Sequence, residues 1–264
     1  MNALTNEAGK TFKLGRNRPA MPMRLRLQDY LAKVALPAPP ATCSYSASAA
    51  SSLANIYGND TLGDCVIAGM GHIIGVLSAN SGPEFIFSQQ QIISLYSAIG
   101  GYVPGNPSTD NGCDEVTALN HLRNKGAPIG HHKIAASIGV NPANPVEYRT
   151  ALWLFENLMF GLELPDAWIT PFPSKSGFVW DVAGKSDQNN GHCVIGCGYD
   201  STGVTIATWG MLGTMTDAAI ADYLTWQNGG QLFCVLSTEL INSAIKKSPA
   251  GLNWAQLVTD FASL

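Results

Sequence analysis

From residue 65 onward the apolar positions Val66, Ile67, Met70, Ile73, Ile74, Val76 and Leu77 surround a helical cylinder, with small Ala68, Gly69, Gly71 and Gly75 between them. An apolar surface on every side predicts a buried central helix over 65–79, and the small residues predict close neighbours. Ser88 caps a second helix that runs through Ile92, Leu95 and Tyr96 to a stop at Gly100-Gly101, and a third over 114–125 ends at Gly126. After Gly130 the period changes. Strands are predicted over 133–140, 158–164, 177–182, 192–199, 204–208 and 232–237, with helices over 145–156, 216–226 and near 254–261. Helices first and a mostly antiparallel sheet later indicate an α+β fold, a helical half over 57–130 packed against a sheet half over 131–264.

Residues 1–56 have a different texture. The proline-rich stretch 36–41 is expected to be extended, and 44–52 is a run of small residues, so the segment is expected to be an arm and linker wrapping the core. Charge divides at the same place. The first 33 residues hold seven bases and two acids, a net +5, whereas the rest hold eight bases and seventeen acids, a net −9. A basic arm on an acidic body is suited to fold back on that body or to bind a protein partner or neighbouring subunit. Aromatic residues are not interleaved with the bases, so the arm lacks the pattern of a nucleic-acid tract.

The chain is 264 residues long and 46% hydrophobic with a net charge of −4, which excludes disorder. Only 13% of residues are charged, against an ordinary share of about 25%, a surface suited to an assembly. No apolar run has the roughly 18 residues needed to cross a bilayer, and residues 1–13 lack the apolar core of a secretion signal. Neither membrane spanning nor ordinary secretion is expected. Six cysteines without tight disulfide spacing are expected to be reduced and mostly buried. Cys193 and Cys197 lack the second Cys or His pair of a zinc site, and Asp110, Asn111, Gly112, Asp114 and Glu115 miss the calcium-loop spacing. No cofactor is expected.

The sharpest local feature is Gly58-Asn59-Asp60-Thr61-Leu62-Gly63-Asp64-Cys65, a turn that delivers a cysteine to the first turn of the buried helix. The helix dipole and free N–H groups there favour a thiolate and can hold an oxyanion. A nucleophilic thiolate needs an imidazole to exchange its proton, and His192 supplies one at a strand start, in Gly191-His192-Cys193-Val194-Ile195-Gly196-Cys197-Gly198-Tyr199. Each residue also has a structural alternative. Cys65 is a buried thiol, Asp64 a helix cap, Asn59 a turn residue, Trp209 a core aromatic, and His72, two turns along the helix from Cys65, is expected to be packed in the core.

A Gly-Asp-Cys at a helix start, a distant Gly-His strand running to Gly-Tyr, and a hairpin to Trp209-Gly210 resemble the papain-like cysteine peptidases over about residues 57–210. The resemblance implies Cys65 as nucleophile, His192 as general base and acid, Asn59 in place of an oxyanion-binding glutamine, and Trp209 as the shield of the catalytic hydrogen bond. The family's Asn-Ser-Trp-Gly stands here as Ala207-Thr208-Trp209-Gly210, so the imidazole-orienting amide is absent and Thr208 reaches the ring only if the hairpin register slips by one. Asp64 either orients the histidine or caps the helix. The Leu-Pro-x-Pro-Pro run over 36–40, Asn59 to His72 and Val204 to Gly210 also resemble a group of phage and bacterial papain-like proteins with no established substrate. That resemblance implies a bacterial cytoplasmic or virion setting.

Two functions follow as expectations. The first is a cysteine peptidase or related thiol hydrolase acting on a peptide or protein by acyl transfer, with an open cleft and a thiolate at neutral pH. The alternative is a virion or assembly protein with an inactive triad, its arm on a neighbouring subunit and its cleft plugged.

Overall fold

The computed structural model describes residues 3–22, 25–31, 38–237 and 259. The expected helix near 254–261 lies, apart from residue 259, outside them. In chain order the strands are β1 (Ala3–Thr5), β2 (Thr11–Lys13), β3 (Cys43–Ser44), β4 (Ala136–Gly139), β5 (Leu158–Pro165), β6 (Phe178–Trp180), β7 (Ser186–Tyr199), β8 (Gly203–Thr208), β9 (Met211–Thr216) and β10 (Gln231–Leu236). The helices are α1 (Leu27–Leu31), α2 (Ala50–Leu53), α3 (Cys65–Ser81), α4 (Gln89–Gly100), α5 (Glu115–Asn124), α6 (Pro145–Phe155) and α7 (Asp217–Tyr223). Among the described residues no helix is long and apolar enough to cross a membrane.

Helix boundaries follow their caps. Ser88 and Gln91 form a reciprocal capping box at α4, and Gly101 ends that helix in the left-handed region at φ 73°. Asp114 accepts from Thr117 N at the start of α5, and Asn144 with Pro145 starts α6. Central α3 is buried continuously from Cys65 to Val76, as its all-round apolar surface requires.

The main sheet has the order β4-β10-β5-β7-β8-β9-β6, with β3 added beside β7. Every pairing in it is antiparallel except β6 with β9. Both faces are covered. Cys193, Ile195 and Cys197 of β7 pack with α3, whereas Val194 and Tyr199 join the core that contains α6 and α7. Strands covered on both faces read as continuous apolar runs, and this is why β5 and β7 show little alternation. A register shift in the β7–β8 pairing between Gly196 and Gly198 breaks the period of two.

Several expected boundaries move. The strand placed at 192–199 extends back to Ser186, the one at 133–140 begins only at Ala136, and the helix at 216–226 spans Asp217–Tyr223. Strand β9 was not expected. Its sequence, Met-Leu-Gly-Thr-Met-Thr, is weak in β-formers and becomes a strand through its partners β8 and β6.

Candidate functional site

Cys65 is the first residue of α3 and lies under the seam between the helical and sheet halves. Asp64 occupies the cap position, but its side chain makes no capping bond; its backbone carbonyl receives Ile67 N and Ala68 N instead. Neither Asp64 carboxyl oxygen has a well-formed hydrogen bond among the described residues. Burial drives its pKa well above the usual carboxylate range, and contact with its own backbone and with Asn59 offsets this only in part.

His192 lies on β7, fully buried, its ring stacked on Trp209 with centroids 3.9 Å apart. Its Nε2 is 2.7 Å from Thr208 Oγ1. Its Nδ1 makes no hydrogen bond among the described residues, so Cys65 and His192 are not a hydrogen-bonded pair in this form. Trp209 and Gly210 are the two central residues of the β8–β9 turn, both with positive φ, 48° and 73°. A bulky residue tolerates that region only when its surroundings impose it. Here His192, Phe172 and Phe12 enclose the indole.

The space above Cys65 is filled by the chain's own residues 12–17, which we call the strap. Its backbone is bonded to both halves. On the helical side Lys13 N donates to Asn59 O at 2.8 Å, Asn59 Nδ2 donates to Lys13 O at 3.0 Å, and Cys113 N donates to Gly15 O at 3.1 Å. On the sheet side Gly15 N and Arg16 N both donate to Gly191 O, the residue before His192. Asn17 N closes the strap onto Cys113 O at 2.9 Å. The fit depends on missing side chains, since a Cβ on Gly15 would stand 2.0 Å from Gly63 O and one on Gly191 would stand 2.1 Å from Arg16 O. Phe12 stacks on Phe172, Lys13 pairs with the Asp110 carboxylate, and Arg16 pairs with Glu115 at 2.6 Å.

The thiolate and open cleft expected of an active enzyme are therefore absent from this form. Cys65 is 1% exposed. Burial is the first cause that pushes its thiol up to about 12; N–H groups of Cys193 and Gly15 oppose this and Asp64 and Glu115 add to it. Burial alone pulls His192 down to about 3. Burial favours the neutral form of both groups near pH 7.

Asn59 is buried, its amide donating to the Lys13 and Leu62 carbonyls. His72 is packed in the core with Nε2 3.0 Å from Asn55 O, and burial lowers its pKa to about 4. The unfolded chain, with a histidine near 6.5, therefore takes up a proton first as pH falls, and the stability contributed by neutral His72 is full above pH 6.5 and lost toward pH 4. Urea denaturation at several pH values is expected to show the stability advantage of wild type over His72→Gln shrinking by on the order of 3 kcal/mol across that window.

Sequence inspection missed Gly15, Arg16, Glu115 and Cys113 as parts of this site. The charge division between arm and body was the available signal.

Comparison with known proteins gives a likeness of fold. No family model matches the chain, and no curated protein matches it by sequence. Among solved structures, xylellain, a cysteine protease from Xylella fastidiosa, aligns with a TM-score of 0.63 over 90% of this chain and 99% of its own, at 15% identity. Procathepsin L2 from the larval midgut of Tenebrio molitor gives 0.58 over 85% and 78%, at 13% identity. The ragweed pollen cysteine protease Amb a 11 in its proform gives 0.55 over 80% and 68%, at 13% identity. At such identities the shared property is the fold, and the fold is papain-like.

Proposed function

We propose that this chain is a papain-like cysteine peptidase held closed by its own strap. The observation that carries this reading is the strap's seating. The backbone of residues 13–17 is hydrogen-bonded on one side to Asn59 and Cys113, of the half that carries Cys65, and on the other to Gly191, the residue before His192. The structurally similar proteins include a procathepsin and a cysteine protease in its proform.

The strap blocks the site without acting as substrate. The Gly15 N–H is directed to Gly191 O and its carbonyl to Cys113 N, so this residue is engaged by both halves. When the strap leaves, water returns and the burial that holds the thiol and imidazole neutral is relieved. Cys65 then transfers its proton to His192 and attacks the carbonyl carbon of a bound peptide. The oxyanion is met by the N-terminal turn of α3 and by Asn59 Nδ2, which already holds a peptide carbonyl in the closed form. His192 returns the proton to the leaving amine, and water hydrolyses the thioester and regenerates the thiol. Thr208 and Trp209 position the imidazole.

A second reading has one observation in its favour. A filled groove and a neutral, buried thiol are what an inert assembly or virion brick would have, and the arm of such a protein also serves as an anchor. Incubation of a peptide library with the Gly15→Ala chain, in which the strap cannot seat, separates the two. Peptidase activity is expected in Gly15→Ala and absent from Gly15→Ala/Cys65→Ala. An intact library with both variants would leave the inert reading.

A further inference from the structure

Arg16 is the strap's deepest charge. Its guanidinium Nε donates to Glu115 Oε1 and its Nη1 to the Gly229 carbonyl, each at 2.6 Å, and the Arg16 and Glu115 side chains have no exposure at all. Three separate elements build the chamber: Glu115 at the start of α5, Gly161 in β5, and Gly229 in the turn before β10. Gly161 is required by the contents, because a Cβ there would lie 1.7 Å from Glu115 Oε1 and 2.9 Å from Arg16 Nε. Arg16 thus uses two of its nitrogens on acceptors from different elements, a two-point contact suited to a planar guanidinium, while Nη2 and Glu115 Oε2 have no well-formed hydrogen bond among the described residues.

The rest of the strap is held mainly by backbone bonds that any extended peptide makes. Among the strap's charged side chains, Arg16 is the one whose ion pair is fully buried, with both partners at 0% exposure, whereas Lys13 beside Asp110 keeps 21%. Once the strap leaves, Glu115 is a buried acid without its partner beside the groove; burial raises its pKa even beside Arg16, and a cation would stabilise its charged form. Gly161 pairs with Cys193 across β5 and β7, so the chamber lies beside the β7 position that follows His192.

We propose that Glu115, Gly161 and the Gly229 carbonyl form an arginine-selective subsite of the groove. It holds Arg16 in the closed chain and an arginine of an incoming peptide in the open one. The role in substrate choice rests on the peptidase reading above; the chemistry of the pocket does not.

The test uses the full chain carrying Arg16→Ala, which empties the chamber, and n-propylguanidinium as the probe. At 100 times its dissociation constant the probe is expected to raise the Tm of Arg16→Ala by roughly 5 to 10 °C. Wild type, whose chamber is filled, and Arg16→Ala/Glu115→Gln are expected not to respond, and neutral n-propylurea is expected to do nothing. No shift in Arg16→Ala, or an equal shift with Glu115→Gln or with the urea, overturns the subsite.

A second measurement covers an Arg16→Ala chain that fails to fold. Gly15→Ala/Cys65→Ala is titrated with two fluorescent peptides that differ only by arginine or its uncharged isostere citrulline. Arginine is expected to bind at least about 10-fold tighter, a preference lost with Glu115→Gln. Equal affinity, or binding of neither peptide, overturns the proposal. Hydrolysis enters neither readout, so a chain that binds arginine and cuts nothing refutes the peptidase reading and leaves the subsite standing.

Discussion

Replacing Gly15 with alanine is expected to turn Cys65 from an inert thiol into a reactive one. The added Cβ would stand 2.0 to 2.4 Å from three backbone atoms of Gly63, and backbone cannot rotate aside as a side chain can. The bonds from Gly15 and Arg16 to Gly191 and from Cys113 to Gly15 are then lost together, because they need the same close approach. With the strap in place the thiol is pushed up to about 12, so its thiolate fraction at pH 7 is about 10⁻⁵; without it, a value near the ordinary 8.5 gives a few per cent. Iodoacetamide labelling of Cys65, followed by mass spectrometry and assigned with Cys65→Ala, should accelerate at least 100-fold. Cys197 and Cys234 are fully buried in the two cores, and their labelling should stay slow as an internal control of folding. An unchanged rate at Cys65 would mean that something other than the strap protects it.

In that opened chain, Thr208→Val is expected to lower kcat/KM by about 10² to 10⁴-fold, the range set by loss of an orienting partner in the serine triad. The Thr208 hydroxyl is the only hydrogen-bond partner of the His192 ring among the described residues. Valine keeps the shape and removes the hydroxyl, leaving both ring nitrogens without a fixed orientation. Thr208→Ser, which retains the oxygen, should recover most of the activity, whereas a purely steric role for the threonine would make serine the poorer substitute. The same loss should appear in the pH profile, because the partner that stabilises one tautomer also sets the range over which the imidazole exchanges its proton. Equal rates in Thr208→Val and the parent would remove Thr208 from the site.

Much of this arrangement was legible before any coordinates. The all-round apolar surface with Gly and Ala insertions specified α3 as a buried helix, and the turn from Gly58 to Asp64 placed Cys65 at its start. Ser88, Asp114 and Gly101 marked helix ends because caps act through neighbours a few residues away. Strand β9 was not legible, since its residues pair through long-range contacts that local propensity does not encode. The shift in the β7–β8 pairing between Gly196 and Gly198 was also hidden. A strand buried on both faces carries no alternation from which to count its register.

The division between the two sources of information is clearest in the arm. Sequence alone determined that the first 33 residues carry a net +5 and the remainder a net −9, and that a turn from Gly58 to Asp64 leads into an apolar helix beginning with a cysteine. Which acid meets which base was decided by the tertiary structure. Arg16 and Glu115 are 99 positions apart, and Gly15, Gly63 and Gly191 meet only because three stretches of backbone converge over one helix end. The protonation of Cys65 followed the same rule. The helix start favours a thiolate through local dipoles, but the closing of the strap removes water from the sulfur, and desolvation outweighs those dipoles.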